Sequence, residues 1–135
     1  MTNIVLTFLL LVSNVGPVAH SLQRFPENYP VTTRRIKFPR GRTTAVIRGV
    51  ARTPGIYEYV LKARANQTMT AHLVSSNDGV EFTIFAPDGS NPEGALGTSD
   101  WTGNLNASGD YKIALINNRS RKSRNPTFTL EVNVR

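Results

Sequence analysis

Ile56-Tyr57-Glu58-Tyr59-Val60-Leu61-Lys62-Ala63-Arg64, followed after a two-residue break by Gln67-Thr68-Met69-Thr70-Ala71-His72-Leu73-Val74, decides the fold class. In the first run Tyr57, Tyr59, Leu61 and Ala63 share one face, with Glu58, Lys62 and Arg64 on the other. In the second, Met69, Ala71 and Leu73 alternate with polar neighbours. A period of two with one polar face describes a half-buried β-strand. The same pattern recurs outward along the chain. VEFTIFA (80–86) aligns Val80, Phe82 and Ile84. DYKIALIN (110–117) aligns Tyr111, Ile113 and Leu115, and FTLEVNV (128–134) aligns Phe128, Leu130, Val132 and Val134. RRIKF (34–38) and TTAVIRGVA (43–51) supply two earlier strands, and a weaker pair is expected around Ala95–Gly97 and Trp101–Leu105. No segment shows a sustained helical period with caps. Turn chemistry separates the runs: Asn77-Asp78-Gly79 and Asp88-Gly89 offer residues that tolerate positive φ. The expectation is an all-β protein, a single antiparallel β-sandwich of about seven to nine strands, with Leu61, Met69, Phe82, Ile113, Leu130 and Val132 in its core.

The rest of the composition agrees with one such domain. The chain has 135 residues, 10 Gly, 8 Pro and no Cys. Without Cys there is no disulfide framework, no thiol nucleophile and no Cys-ligated metal site. Residues 1–21, MTNIVLTFLLLVSNVGPVAHS, contain no Asp, Glu, Lys or Arg. Their apolar run, Ile4 to Val12, is too short to span a bilayer, which takes about 20 residues. It fits the h-region of a secretory signal peptide, with small residues at Ala19 and Ser21 near the expected cleavage point. The expected organisation is therefore a signal peptide at 1–21, an N-terminal arm at 22–33 and a β-sandwich at 34–135. The mature protein is expected to be periplasmic or secreted, with no membrane span after cleavage.

Catalytic constellations are missing from the pattern. After cleavage a single His remains, His72, on the polar face of its strand, with no nucleophile spaced to partner it. There is no His pair, no P-loop and no GxGxxG, and the aspartates sit in turns where backbone chemistry explains them. No enzyme activity, cofactor or metal is expected. Asn66, Asn106 and Asn118 begin glycosylation sequons, which matter only in a host that uses them.

Charge is the more informative feature. Lys and Arg number 16 against 9 Asp and Glu, a net charge of +7. Arg34, Arg35, Lys37, Arg40 and Arg42 form one cluster, and Arg119, Arg121, Lys122 and Arg124 form another. The second lies between two strong strands and is expected in a hairpin loop. Such a loop is either a solvated turn or a finger aimed at an acidic partner, for which the planar guanidinium fork suits a carboxylate. Nucleic acid is not the expected partner, since no recognition motif accompanies the charge.

RIKFPRGRTTAVIRGV, YEYVLKARANQTMTAHL and GDYKIALINNRSRKSRNPTFTLEVNV together resemble the periplasmic inhibitors of goose-type (g-type) lysozyme. They also resemble the wider group of secreted β-sandwiches akin to the pre-peptidase C-terminal domain. The resemblance spans about residues 34–135. Its most specific element is a strand opening on Tyr111 and leading to Arg119, a spacer, and Arg121-Lys122. The resemblance implies that this basic loop enters the lysozyme cleft, and that Arg119, Arg121, Lys122 and Tyr57 contact the enzyme. The chain departs from the family in two places. The spacer between Arg119 and Arg121 is one residue, and Thr53-Pro54-Gly55-Ile56 stands where a Tyr-rich loop is found, leaving Tyr57 as its substitute. The alternative function is a noncatalytic envelope- or glycan-binding module, for which Trp101 is the one candidate platform, although a lone Trp is more often a core residue.

Overall fold

Among the described residues, alternating apolar and polar positions fold into eight strands and no helix. The computed structural model describes residues 28–118 and 125–135. The strands are β1 (Val31–Arg35), β2 (Thr44–Val50), β3 (Ile56–Ala63), β4 (Thr68–Ser75), β5 (Val80–Phe85), β6 (Asp100–Asn104), β7 (Gly109–Asn117) and β8 (Thr127–Val134). They make two four-stranded sheets, ordered β1-β3-β7-β5 and β2-β8-β4-β6. Consecutive strands never share a sheet, so every connection passes from one layer to the other. The segment between β7 and β8 is therefore not a hairpin loop, as the sequence led us to expect, but a link between the sheets. Pairing is antiparallel except for β1, which runs parallel to β3 in the register Val31↔Ile56 to Arg35↔Val60.

The inward faces are those the alternation marked. Leu61, Met69, Phe82, Ile113, Leu130 and Val132 have no exposed surface. They form one core with Tyr59, Trp101, Tyr111 and Phe128, in which Tyr59 and Phe128 meet edge to face at 6.3 Å. Tyr111 is buried to its hydroxyl, which donates to the Ala107 carbonyl at 2.8 Å, so the one polar atom of the ring is satisfied. A smaller cluster lies on the outer face of the first sheet, where Ile56, Ala114 and Ile116 are buried with Tyr29 and Phe85 packed against them.

Two strand assignments shift. β1 starts at Val31, inside the stretch read as an arm, and ends at Arg35 rather than Phe38. Residues 36–38 leave the strand on the way to Pro39, which cannot donate to a ladder. Ala95–Gly97 is not a strand. It is a bend in the chain, held to β5 by Gly97 N donating to Thr83 Oγ1 at 2.9 Å and by the bridge Phe82↔Thr98 that follows it.

Candidate functional site

The connections from β2 to β3 (residues 51–55) and from β4 to β5 (76–79) meet at one end of the sandwich, together with the two described flanks of the β7–β8 connection, Asn118 and residues 125–126. Register alone brings them together, since Ile56 pairs with Ile116, Val80 with Asn117, and both Val50 and Ser76 lie beside Thr127. Arg119, Arg121 and Lys122 lie outside the described residues, but both flanks of their segment are described. On one side the Asn118 N–H donates to the Gly79 carbonyl at 2.8 Å, and Asn118 Nδ2 donates to the Glu81 carboxylate. On the other side Thr127 N donates to Ser76 Oγ at 3.0 Å, Ser76 N donates to the Thr127 carbonyl at 2.9 Å, and Ala51 N donates to the Pro126 carbonyl at 2.8 Å. The β4–β5 turn thus holds both ends of the basic segment. That turn is in turn closed by the Asn77 side chain, whose Oδ1 accepts from Gly79 N at 2.8 Å.

Tyr57 belongs to the same end. It is half-buried, and its hydroxyl accepts from Arg52 N at 3.1 Å, folding the β2–β3 connection back on itself. Gly55 is required there: a Cβ would sit 2.8 Å from the Arg52 carbonyl oxygen and 3.1 Å from the Tyr57 hydroxyl. Thr53 Oγ1, in the same connection, is buried without a hydrogen-bond partner among the described residues. The sequence pointed to Tyr57 and to the basic segment, but not to Ser76, Asn118 and Glu81 as the groups that tie the segment down. The signal available was the polar run Ser75-Ser76-Asn77-Asp78-Gly79 between two apolar strands, which reads only as a turn until its neighbours are known.

Other sequence candidates fall elsewhere. His72 faces outward from β4, as its alternation required, and its Nδ1 pairs with the Asp100 carboxylate across the β4–β6 ladder. No group of metal-ligating side chains forms among the described residues. Trp101 is a core residue, 8% exposed, whose indole N–H donates to the Glu93 carbonyl at 2.8 Å. Its face is therefore not available as a platform for a sugar ring. Among the described residues, no helix is long and apolar enough to cross a membrane.

Neither the known family models nor the curated proteins include a match to the chain. Solved structures do match. The PliG periplasmic inhibitor of g-type lysozyme from Aeromonas hydrophila superposes with a TM-score of 0.67 at 29% identity, covering 78% of this chain and 98% of that one. PliG from Salmonella Typhimurium gives 0.56 at 23% identity, over 76% and 97% of the two chains. The pre-peptidase C-terminal domain of a Bacillus anthracis collagenase gives 0.52 at 11% identity, over 80% and 99%, a likeness of fold. The resemblance read from the sequence is thus met in three dimensions: the chain is similar to the periplasmic inhibitors of g-type lysozyme, and it shares the β-sandwich fold of a pre-peptidase C-terminal domain.

Proposed function

We propose that the protein is a periplasmic or secreted inhibitor of g-type lysozyme that acts by occupying the enzyme's cleft, without chemistry of its own. The observation that carries this reading is the near-complete coverage of the Aeromonas hydrophila inhibitor, 98% of that chain at 29% identity. The site we propose is the loop end of the sandwich, with Arg119, Arg121, Lys122 and Tyr57 as the lysozyme-binding residues. What supports it is the frame: hydrogen bonds from the β4–β5 turn hold both flanks of the basic segment, and Tyr57 stands on the adjoining connection. Residues 1–21 serve as the export signal in this reading.

In the mechanism, Arg119 pairs with a catalytic carboxylate and excludes the glycan, while Arg121 and Lys122 support the contact. Many lysozymes are basic, so with a net charge of +7 the complementarity has to be local to the acidic cleft. Truncating one member of a buried, hydrogen-bonded charge pair costs about 2–5 kcal/mol. Arg119→Ala is therefore expected to weaken inhibition by about 30-fold or more, at tenfold per ~1.4 kcal/mol. Titration of a g-type lysozyme with parent and variant is the test. Equal inhibition by the two removes Arg119 from the site. If the parent fails to inhibit and instead sediments with isolated peptidoglycan, the envelope-binding reading replaces this one.

A further inference from the structure

The first basic cluster plays no part in the loop end. It lies along the side of the sandwich, where β1 and β2 are the outer strands of their sheets. Between them runs an open groove of about 870 Å³. Its walls carry Arg34, Arg35, Lys37, Arg42 and Arg48, and no carboxylate lines it. Arg35 is held by Asp110 through two nitrogen–oxygen contacts, at 3.2 and 2.8 Å. Among the described residues the other four cations form no ion pair. The floor between them is apolar, built from Ile36, Ala45, Ile47 and Tyr59.

The backbone of β2 adds a third property. Thr43 accepts from Val134 N, and Ala51 donates to the Pro126 carbonyl, in the same register that pairs Ala45 with Val132 and Ile47 with Leu130. In an antiparallel ladder the hydrogen-bonded pairs alternate. The odd-numbered residues of β2 therefore bond to β8, and the N–H and C=O groups of Thr44, Val46 and Arg48 turn outward along the groove. A free strand edge is a template for a further strand.

We propose that this groove is a second docking site, independent of the lysozyme contact, and that it takes an extended acidic peptide segment of a partner protein by strand addition to β2. The segment's backbone pairs with Thr44, Val46 and Arg48, alternate side chains settle on the apolar floor, and carboxylates meet Arg34, Lys37, Arg42 and Arg48. The charge argues against a second copy of this chain, which would set one basic edge against another. A polyphosphate or nucleic acid satisfies the cations but makes no use of the floor or the strand edge.

The test uses the mature chain and a fluorescent peptide of alternating Glu and Val, about ten residues long to match an edge strand. Anisotropy is read near physiological salt, because surface charges are screened over about 8 Å there and weak nonspecific attraction fades. Saturable binding is expected. Arg42→Gln and Arg48→Gln should each weaken it at least fivefold, whereas Thr70→Glu, which shifts the net charge equally from the outer face of β4, should not. Val46→Pro removes one outward donor while the bonds to β8 persist, and should also weaken binding at least fivefold. A peptide N-methylated on its alternate pairing residues should lose binding to the same extent. Circular dichroism melts establish that each variant is folded, and the methylated peptide needs no variant at all. The proposal is overturned if the peptide does not saturate, if methylation leaves its affinity unchanged, or if polyphosphate or single-stranded DNA competes at equal charge as well as the unlabelled peptide does.

Discussion

Gly103 has no room for a methyl group, and that makes Gly103→Ala a sensitive test of the core. A Cβ on Gly103 would lie 2.3 Å from Trp101 Cζ2 and 2.6 Å from Cη2, because the indole folds across the glycine two residues along β6. Real Cβ contacts do not approach 3.0 Å, so the ring must move. Moving it strains or breaks the 2.8 Å bond from the indole N–H to the Glu93 carbonyl. A hydrogen bond of this kind contributes about 0.5–1.5 kcal/mol, and overpacking typically costs about 1–3 kcal/mol. Removing a glycine from the unfolded chain returns about 0.4–1 kcal/mol. The net is a loss of about 2.5 kcal/mol. At about 4 °C per kcal/mol for a domain of this size, the melting temperature should fall by about 10 °C. Trp101 is the sole tryptophan, so its emission reports on this position without interference. A red-shifted emission and a lower melt followed by circular dichroism are expected together. An unchanged melt with unchanged emission would refute the packing described for Trp101, and with it the argument against a sugar platform there.

Four other outcomes are expected. Leu130→Ala, at a position with no exposed surface, should cost about 2–5 kcal/mol, measured by urea denaturation against Thr70→Ala, which should be nearly neutral. Tyr57→Phe leaves Arg52 N without its acceptor, but Arg52 is exposed and water replaces the bond. Stability should change by no more than about 1 kcal/mol while inhibition of lysozyme drops several-fold as the β2–β3 connection loosens. The Arg35 guanidinium, by hydrogen bonding first, holds the Asp110 carboxyl below its ordinary value. Its contribution is complete above about pH 4, the unfolded value, and disappears as pH falls through the lower folded value. Relative to Asp110→Asn, the parent should therefore lose stability in acid melts below about pH 4 and keep its advantage above it. Ser76→Ala removes the acceptor for Thr127 N and should speed amide exchange at Thr127 more than at Leu130.

What was legible in the sequence was the inward face of each strand. Leu61, Met69, Phe82, Ile113, Leu130 and Val132 were placed by period-two alternation, and burial of that face is what fixes register. Which strand pairs with which was not legible, because alternation says nothing about partners. The strong alternation on both sides of the basic segment, at 110–117 and 128–134, therefore suggested a hairpin, where the two strands in fact belong to opposite sheets. Trp101 remained ambiguous for a similar reason: its burial depends on Gly103 and Glu93, and only the first lies close in sequence. The groove between β1 and β2 was half visible. Its cations stood together as Arg34, Arg35, Lys37 and Arg42, but Arg48 and the apolar floor join them only once the two outer strands lie side by side.

The strict alternation of strands between layers also bears on how the chain acquires its structure. Among the described residues, no ladder joins positions fewer than 25 apart, the separation of Val31 from Ile56, and only the bridge between Phe82 and Thr98 is more local. With no hairpin among the described strands to form first, each of their ladders requires closure of a long loop. By (3/2)RT ln n, closing 25 residues rather than the four of a tight hairpin costs roughly 1.6 kcal/mol more before any pairing compensates. β1 does not offset this, since all five of its residues are exposed. The nucleus is therefore expected in the better-buried ladders of β7 with β3 and β5, both closed across long intervals. Such a topology places refolding in the millisecond-to-second range of β-sandwiches rather than the microseconds of helical bundles. A long-lived unfolded chain with apolar strands still unpaired is the price of a frame whose connections all run to its ends.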